Sequence, residues 1–447
     1  MKAKSYSGHK ILFLSLGISF ALLINGSLHA QSKRANNWYF GIYAGLSFND
    51  GSPPEVLYDG KTDYAGSASG VASISDENGN IRFYATGVQI WNREHQIMQN
   101  GYSMGMMSTQ GAIFVPDPGN SNFYYYFNFG YDSPIISHFQ YSIIDMRLDN
   151  GLGGVVTDKK NIHLLENASF HLSAVQHANT IDVWVVAHTL ENNNYYSFKI
   201  TGYGIEAPIV STVGSIYNNS SGYLKISPNG KKIAAADHVF GGGCEILDFD
   251  TQTGIISDVN LVKTTTPVFA VEFSPDNSKL YAKGNGLNSF FQYDLNAGSP
   301  DEILASEILL SSDVIPEGAL QLGPDGKIYC ATSSYHIGVI HEPNKAGLEC
   351  NYERYSIYVG DGRAVGEGLP SFIQSYLNDP EYATTQHCAG QPTQFNIANA
   401  NGIDSVYWKF KDFSNMPYDT STLLSPAYTF SGPGTYYPEL TVYSGLL

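Results

Sequence analysis

The stretch FSPDNSKLY, from Phe273 to Tyr281, decides the fold because it has two near-copies in the chain. ISPNGKKIA begins at Ile226 and LGPDGKIYC begins at Leu322, so the prolines of the three copies lie 47 and 49 residues apart. In each copy a Pro-Asp or Pro-Asn turn joins two short segments rich in β-branched and aromatic residues, which is the pattern of a β-hairpin. Four such segments in a period of about 40–50 residues are typical of a propeller blade.

The turn could also be a phosphate cradle or a calcium loop. A phosphate cradle needs successive backbone N–H groups at the start of a helix, whereas SPNGKK leads into a strand and its proline has no N–H. A calcium loop needs several oxygen ligands that end in a bidentate acid, but each copy offers one acid or none. SDENGNI, from Ser75 to Ile81, is the nearest calcium lookalike, and it occupies the same hairpin position. A hairpin turn is therefore the favoured interpretation.

Weaker copies of the same pattern extend the repeat in both directions. Their first strands lie near residues 69, 111, 171, 222, 268, 317 and 368. The sequence therefore predicts an all-β fold with a seven-bladed β-propeller over residues 37–375, with six or eight blades as the alternatives. GLPSFIQ, from Gly368 to Gln374, lacks partner strands, and NWYFG, GLSFND and EVLYDG near the N-terminus lack a first strand. We expect these segments to combine in one blade that closes the ring.

The first thirty residues have the organisation of a signal peptide, with Lys2, Lys4 and Lys10 before the apolar run ILFLSLGISFALLI. Gln31 is the expected mature start. Without those lysines the net charge falls from −17 to −20, and such an acidic surface argues against nucleic acid and anionic membranes as partners. We expect a secreted or outer-surface protein with no membrane insertion after cleavage, and with extracellular protein or glycan as its partner.

The four cysteines, Cys244, Cys330, Cys350 and Cys388, lie far apart and form no CxxC motif. This spacing argues against a structural zinc site. One or two disulfides are compatible with an exported protein, but the sequence does not fix their pairing. We predict no metal site and no cofactor.

A different pattern follows the repeat. Residues 376–387 are predicted to be a linker, and residues 388–447 contain alternating strands such as CAGQPTQFNIAN, DSVYWKF and GTYYPELTVY. A tryptophan in the second strand is typical of a small immunoglobulin-like sandwich. The sequence ends directly after a core-like strand, so we expect this sandwich to be incomplete.

Several motifs together resemble a family of secreted proteins from type IX-secreting gliding bacteria. They are NNWYFGIYAGLSFNDGSP, SISDENGNIRFYATGVQIWNREHQIM, GYLKISPNGKKIA, VEFSPDNSKLYA, LQLGPDGKIY and GLPSFIQSY. The resemblance spans about Asn37 to Val442. It implies a propeller followed by PKD (polycystic-kidney-disease-type) domains, surface or extracellular display and no established catalysis. DSVYWKFKD departs from the W-x-F-G-D pattern of PKD domains at Lys411, and the type B sorting domain of the family is absent.

Two groups of residues are candidates for a ligand site at the channel mouth. A hairpin centred near Asn179-Thr180 would pair His171 with His188, where a first strand begins and a second ends. Asp237 and His238 occupy the corresponding end in the next blade. Such imidazoles could bind a metal or act as bases, or they could be polar loop residues beside a wet channel.

Glu317 and Glu367 precede first strands in neighbouring blades, so both could face the channel mouth. Paired carboxylates are what glycoside hydrolysis requires, although acids at strand ends also serve as loop caps and surface charges. No G-x-S-x-G motif and no recognisable cysteine nucleophile motif occur. We therefore expect a non-enzymatic binding or adhesion scaffold, with a propeller hydrolase or lyase that acts on polysaccharide as the alternative. No catalytic residue is assigned.

Overall fold

The computed structural model describes residues 33–62, 70–132, 136–218, 221–238, 242–264, 267–284, 286–287, 289–377, 382–385, 390–397, 405–412, 418–432, 435–436 and 438–443, and the backbone of β1 (Lys4–Ser5) and β2 (Ile11–Leu12). The rest of the predicted signal peptide, much of the predicted linker, and Cys388 lie outside the described residues. The chain divides into a larger unit, Ser32–Asn378, and a smaller one, formed by Met1–Gln31 and Asp379–Leu447.

The larger unit consists almost entirely of β-strands. In chain order they are β3 (Asn37–Phe40), β4 (Ala44–Ser47), β5 (Glu55–Leu57), β6 (Val71–Ser75), β7 (Ile81–Thr86), β8 (Gln89–Asn92), β9 (Ile97–Tyr102), β10 (Ala112–Pro116), β11 (Phe123–Asp132), β12 (Ile136–Asp145), β13 (Gly154–Val155), β14 (Ile162–Glu166), β15 (Ala168–Gln176), β16 (Val183–Thr189), β17 (Asn194–Thr201), β18 (Gly204–Ile205), β19 (Ile209–Thr212), β20 (Leu224–Ile226), β21 (Lys232–Ala236), β22 (Cys244–Phe249), β23 (Ile256–Lys263), β24 (Ala270–Phe273), β25 (Lys279–Lys283), β26 (Gly286–Leu287), β27 (Phe290–Asp294), β28 (Ile308–Ser311), β29 (Val314–Ile315), β30 (Leu320–Leu322), β31 (Ile328–Cys330), β32 (His336–Ile340) and β33 (Tyr352–Tyr358).

Helices in this unit are short. The described ones are α1 (Pro300–Ala305) and the 3₁₀ helices Lys33–Ala35, Asp149–Gly151, Thr157–Lys159, Gly347–Cys350 and Gln374–Leu377. Ser299 caps α1 in a capping box with Glu302. None of the described helices has the length and apolar character that crossing a membrane requires.

The strands form successive antiparallel meanders in a propeller-like arrangement, which confirms the all-β propeller prediction at this level. The first strand of a meander is buried, as in β6, β20, β24 and β30, and the last strand is only partly buried, as in β33. Inner strands are buried because they pack on the inner strands of the neighbouring meanders. Backbone amides also reach across, since the Ile226 N–H donates to Ser173 Oγ at 3.1 Å.

The number of sheets differs from the seven predicted blades. Among the described strands, five sheets of the larger unit have four or more strands, β3–β5 form a sheet of three, and β26 and β29 form a ribbon of two. One of the five has nine strands, because a parallel contact between Gly154 of β13 and Gln99 of β9 joins two meanders. The β3–β5 sheet has one strand fewer than a four-stranded blade, because the segment near residue 370 does not pair with it.

The expected closure of the ring was wrong in its strand pairing. Ser371 and Ile373 make isolated parallel bridges with Ala72 of β6 and Ala174 of β15, rather than an antiparallel ladder with β3. Their backbone groups are thus shared between two different sheets and cannot extend the β3–β5 sheet. The two ends of the unit meet instead where the Ile42 N–H donates to the Ala364 carbonyl at 2.8 Å.

The repeated turns are hairpin turns, as predicted. They join β20 to β21, β24 to β25 and β30 to β31. Gly230, Asn277 and Gly326 have φ values of 72°, 62° and 75°, a region that glycine and asparagine adopt most readily. In the central copy, Asp276 accepts hydrogen bonds from both the backbone and the hydroxyl of Ser278. The aspartate oxygens are therefore used within the turn.

The smaller unit has strands β34 (Tyr382–Thr385), β35 (Thr393–Ile397), β36 (Ser405–Lys409), β37 (Thr420–Ser421), β38 (Ala427–Tyr428), β39 (Thr435–Tyr436) and β40 (Glu439–Tyr443). Sheets β1-β40-β36-β37 and β34-β35-β38 and the pair β2-β39 make up its described part. Trp408 is fully buried in an aromatic core with Phe395 and Phe410. Its indole N–H donates to the Leu423 carbonyl at 2.9 Å. The PKD-type identity of this unit stays a prediction.

Candidate functional site

Three of the predicted residues come together where inner strands begin and second strands end. His238 follows β21, and Glu317 precedes β30. Nε2 of His238 lies 3.2 Å from Oε1 of Glu317, and both side chains are partly exposed. Glu367 lies beside them, since its backbone carbonyl accepts a hydrogen bond of 2.7 Å from the Ala319 N–H. Asp237 is next to His238 and is also partly exposed.

Lys283, the last residue of β25, completes this group and was missed by sequence analysis. Its ammonium group is buried and donates to the backbone carbonyls of Gly318 at 3.0 Å and Ala331 at 2.9 Å. Burial lowers the pKa of Lys283 to about 8, against the opposing attraction of negative groups that include Glu317 and Glu367. We call His238, Lys283, Glu317 and Glu367 the carboxylate cluster.

The two glutamates of the carboxylate cluster differ in their surroundings. Partial burial, and then the negative charge of Glu317, raise the pKa of Glu367, while Lys283 opposes the rise. Glu317 instead has an imidazole partner in His238. The cluster thus presents carboxylate oxygens that can accept hydrogen bonds from hydroxyl or ammonium groups. One of its acids retains a proton more readily than an isolated glutamate, which is also the arrangement that acid–base chemistry uses.

His171 and His188 lie close together but away from solvent. The predicted register holds from the Leu172–Ala187 pair onward, but it shifts between Ala168 and Leu172, where His171 lies. The two imidazole centroids are 6.3 Å apart. Both side chains are fully buried, however, and Tyr217 packs against both rings. His171 is held by the Ser169 hydroxyl at 2.9 Å and the Ala236 carbonyl at 2.8 Å. The structure therefore places this pair in the core and not at a wet channel mouth.

Burial dominates the electrostatics of these two histidines. It lowers the pKa of His171 to about 4 and, together with the nearby His171, lowers the pKa of His188 to about 3. Neither ring nitrogen of His188 has a partner of hydrogen-bond geometry among the described residues, and the adjacent Thr189 backbone offsets the lowering only in part. Both imidazoles are therefore neutral at pH 7. Because protonating them in the core is unfavourable, their lowered pKa values make the stability of the fold depend on pH.

A second polar site lies in the meander β10–β14 and was not anticipated from the sequence. A pocket of about 620 Å³ is lined by Asp132, His138, Gln140, Asn161 and His163, among others. Asp132 ends β11, His138 is near the start of β12, and His163 is in β14. One oxygen or nitrogen atom from each of Asp132, His138 and His163 lies within 4.8 Å of the other two.

A β-bulge brings these side chains to one face. Strand β12 pairs His138 with Glu166 and Gln140 with His163, because the register shifts between Phe139 and Gln140. Without that shift His163 would pair with Tyr141 and point to the opposite face, since side chains alternate along a strand. No residue pattern marks the bulge.

Gly130, which pairs with His138, was the available signal for this site. A Cβ at Gly130 would lie only 2.3 Å from Nε2 of His138. Glycine therefore leaves the space that the imidazole occupies.

The cysteines described by the structure form no disulfides. Cys244, Cys330 and Cys350 are free and buried. Burial raises the pKa of the Cys244 and Cys330 thiols to about 12. They are therefore protonated packing residues at pH 7, which is the form that buried cysteines take.

Comparison with known proteins assigns no family to the chain. No family model and no curated protein matches it. Among solved structures, a candidate 6-phosphogluconolactonase from Bacteroides fragilis is 11% identical with a TM-score of 0.46, and the match covers 75% of this chain and 97% of that one.

Two further matches are the β-propeller domain of Cps50 (Swd1) from Myceliophteria thermophila and a glucose dehydrogenase. The propeller domain is 10% identical with a TM-score of 0.35, and the match covers 69% of this chain and 96% of that one. The glucose dehydrogenase is 13% identical with a TM-score of 0.35, with 57% of this chain and 91% of that one covered. At these identities and TM-scores the likenesses carry no argument about function.

Proposed function

We propose that the chain is a secreted or cell-surface binding scaffold without catalytic activity, and that it holds protein or glycan ligands at the carboxylate cluster. The observation that carries this proposal is the convergence of His238, Glu317 and Glu367 at the ends of strands from separate meanders. Their side chains are partly exposed, so the acceptor oxygens of the two glutamates can meet a ligand.

The chemistry of the carboxylate cluster favours ligands rich in hydrogen-bond donors. An ionised carboxylate accepts hydrogen bonds and donates none, and the mature surface carries a large negative charge. Hydroxyl groups of a glycan or ammonium groups of an amino sugar or a lysine side chain suit such a face. The Lys283 ammonium is already held by two backbone carbonyls, and this favours a structural role for it over that of a nucleophile.

A polysaccharide hydrolase or lyase is the second candidate, because the pKa of Glu367 is raised beside Glu317. A carboxyl group that keeps its proton next to one that does not is the requirement for general acid and base in glycoside cleavage. In this alternative Glu367 would donate the proton to the leaving oxygen and Glu317 would act as base or nucleophile.

One screen separates the two candidates. The purified protein is applied to arrays of glycans and peptides, and the bound or supplied glycans are analysed for cleavage products. We expect retention of amino-sugar glycans or lysine-rich peptides without products, and weaker retention by Glu317→Gln. The matched control is Glu206→Gln, an exposed acid paired with Lys199 at 3.2 Å on another sheet. Products that disappear in Glu367→Gln would establish the enzyme instead, and retention unaffected by Glu317→Gln would refute the assigned face.

We further propose seven blades for the larger unit, by counting the nine-stranded sheet as two blades and β3–β5 as a reduced blade. The two meanders β6–β9 and β10–β14 support this count, since the strand pairing that links them in the described residues is the single parallel bridge between β13 and β9. The N-terminal signal pattern supports export, and the motifs shared with type IX-secreted proteins support surface display with a PKD-type second domain as a spacer or adhesive module. Protease accessibility of the protein on intact cells tests the display directly.

A further inference from the structure

We propose that Asp132, His138 and His163 form a binding site for a divalent transition metal ion of the Zn²⁺ class. The site lies on the wall of the 620 Å³ pocket and is separate from the carboxylate cluster. Two imidazoles and one carboxylate are the ligand types that Zn²⁺ and related ions take in proteins. The inference depends on which ring nitrogen of His138 carries a proton, and the hydrogen bonds of its neighbours determine this.

The side-chain amide of Gln140 fixes the tautomer of His138. Nε2 of Gln140 donates to the Met104 carbonyl at 2.7 Å and to Oδ1 of Asn128 at 3.2 Å. A backbone carbonyl can only accept, so this orientation of the amide is set. Oε1 of Gln140 is then the atom that faces Nε2 of His138 at 3.0 Å. Nε2 of His138 must therefore carry a proton, so the bare lone pair of the neutral tautomer is on Nδ1.

Nδ1 of His138 lies near another acceptor. Nδ1 of His138 is buried and has no hydrogen-bond partner among the described residues, and it lies 3.5 Å from Oδ2 of Asp132. Two acceptors that face each other repel, and a buried polar atom without a partner, here Nδ1 of His138 beside the exposed Asp132, is costly. A cation between them removes both penalties. The distance is also longer than a charge-assisted hydrogen bond, which spans about 2.7–2.9 Å.

His163 supplies the third ligand. Its Nδ1 lies 3.9 Å from Oδ2 of Asp132 and 3.4 Å from Oε1 of Glu166. Two ligands at about 2.1 Å from one tetrahedral ion are about 3.4 Å apart, so these separations need only a small contraction. The imidazoles of His138 and His163 are stacked with centroids 3.6 Å apart. The two rings would have to turn out of this stacked arrangement for both nitrogens to face one ion, and exposed His163 is the ring that is free of the core.

The surroundings resemble a built site more than a chance surface cluster. His138 is 3% exposed, its second nitrogen is held by a buried amide, and such outer partners are the usual support of a metal-bound histidine. Asp132 and His163 are exposed on the pocket side, which gives an ion a path of entry. Glu166 or a water molecule can complete the coordination.

The test is calorimetric titration of ZnCl₂ into the purified, EDTA-treated full chain. We expect one ion per chain, and affinity at least about 100-fold weaker in His138→Ala and His163→Ala, because even outer partners contribute roughly 10–100-fold. His163 is exposed, so its substitution leaves the fold intact if His138→Ala does not. Co²⁺ in place of Zn²⁺ should give the visible absorption of a tetrahedral site, and His163→Ala should abolish it.

The control is His341→Ala, which removes a histidine paired with Glu353 at 3.1 Å in another sheet. This variant should bind Zn²⁺ like the wild type. The proposal is overturned if the wild type binds no Zn²⁺, or if His163→Ala binds it as tightly as the wild type does. Either result would mean that a proton bridges His138 and Asp132, or that surface histidines hold the ion.

Discussion

The buried ion pair between Lys225 and Glu272 gives the sharpest prediction about the propeller unit. Nζ of Lys225 lies 2.8 Å from Oε2 of Glu272, and the side chains are 1% and 0% exposed. Lys225 also donates to Oε1 of Gln321 at 2.5 Å. Oε2 of Glu272 accepts in addition from the Leu322 N–H at 3.0 Å. The network joins β20, β24 and β30, the inner strands of three successive meanders.

Substitution Lys225→Met should lower the free energy of unfolding by about 3–5 kcal/mol, because it leaves the Glu272 carboxylate buried without its counter-charge. The double variant Lys225→Met/Glu272→Gln removes both charges. It should therefore be more stable than the sum of the two single effects predicts, with a coupling energy of roughly 1–3 kcal/mol. Urea unfolding at pH 7, followed by fluorescence and by calorimetry, measures all three variants.

The control for this experiment is Lys232→Met. Lys232 pairs with Asp248 at 3.1 Å, but its side chain is 28% exposed and that of Asp248 is 30% exposed. Solvent screens such a pair, so its loss should cost less than about 1 kcal/mol. If Lys225→Met is no more destabilising than Lys232→Met, or if the double variant shows no coupling, the reasoning about the inner-strand network is refuted.

Three further predictions concern titration and packing. The lowered pKa of His188, about 3, means that the unfolded chain takes up a proton first as the pH falls below about 6.5. Relative to His188→Leu, the wild type should therefore lose up to about 1.4 kcal/mol per pH unit towards pH 4, and parallel thermal-unfolding curves would contradict this. The lowered pKa of Lys283, about 8, has the same sign. The free energy of unfolding of the wild type should rise by up to about 3 kcal/mol relative to that of Lys283→Met as the pH rises from 8 to about 10.5. A difference that stays constant with pH would contradict this prediction. Gly130→Ala should displace the His138 imidazole, since the new Cβ would lie 2.3 Å from Nε2, and weaken Zn²⁺ binding; unchanged affinity would show that the ring has room to move.

The repeated turns explain how much of the fold could be predicted from the sequence. Proline followed by Asp or Asn before a strand favours a hairpin, and the spacing of Pro228, Pro275 and Pro324 set the period. Lys225, Glu272 and Gln321 each precede one of these prolines by three residues. They therefore lie at one level of the inner strands, and their contact could have been derived from the same repeat.

The features that the sequence could not supply depend on register and on long-range contacts. The bulge between β12 and β14 decides which face His163 takes, and nothing local encodes it. The bridges of Ser371 and Ile373 to two different sheets depend on how the inner strands pack. The strand pattern at residues 368–374 predicted a buried segment, and Phe372 and Ile373 are buried. The strands with which this segment pairs depend on distant residues, so the pattern could not predict them.

The sequence predicted part of the candidate site, because the repeat located the strand ends. His238, Glu317 and Glu367 adjoin strand ends that the repeat located, but the sequence grouped His238 with the histidine pair, whereas the structure places it 3.2 Å from Glu317. Lys283 sits at an equivalent strand end but was overlooked because a lysine there has no motif. The burial of His171 and His188 was missed because the sequence does not show that Tyr217 covers them.

Hydrogen–deuterium exchange with a glucosamine oligosaccharide tests the central claim most directly, namely that the carboxylate cluster is the binding face. This probe carries hydroxyl and ammonium groups, which donate hydrogen bonds to ionised carboxylates. We predict slower exchange in peptides that contain His238, Glu317 and Glu367 when the probe is present, and no such change in Glu317→Gln/Glu367→Gln. Protection confined to other sheets, or protection that persists in the double variant, would contradict the account.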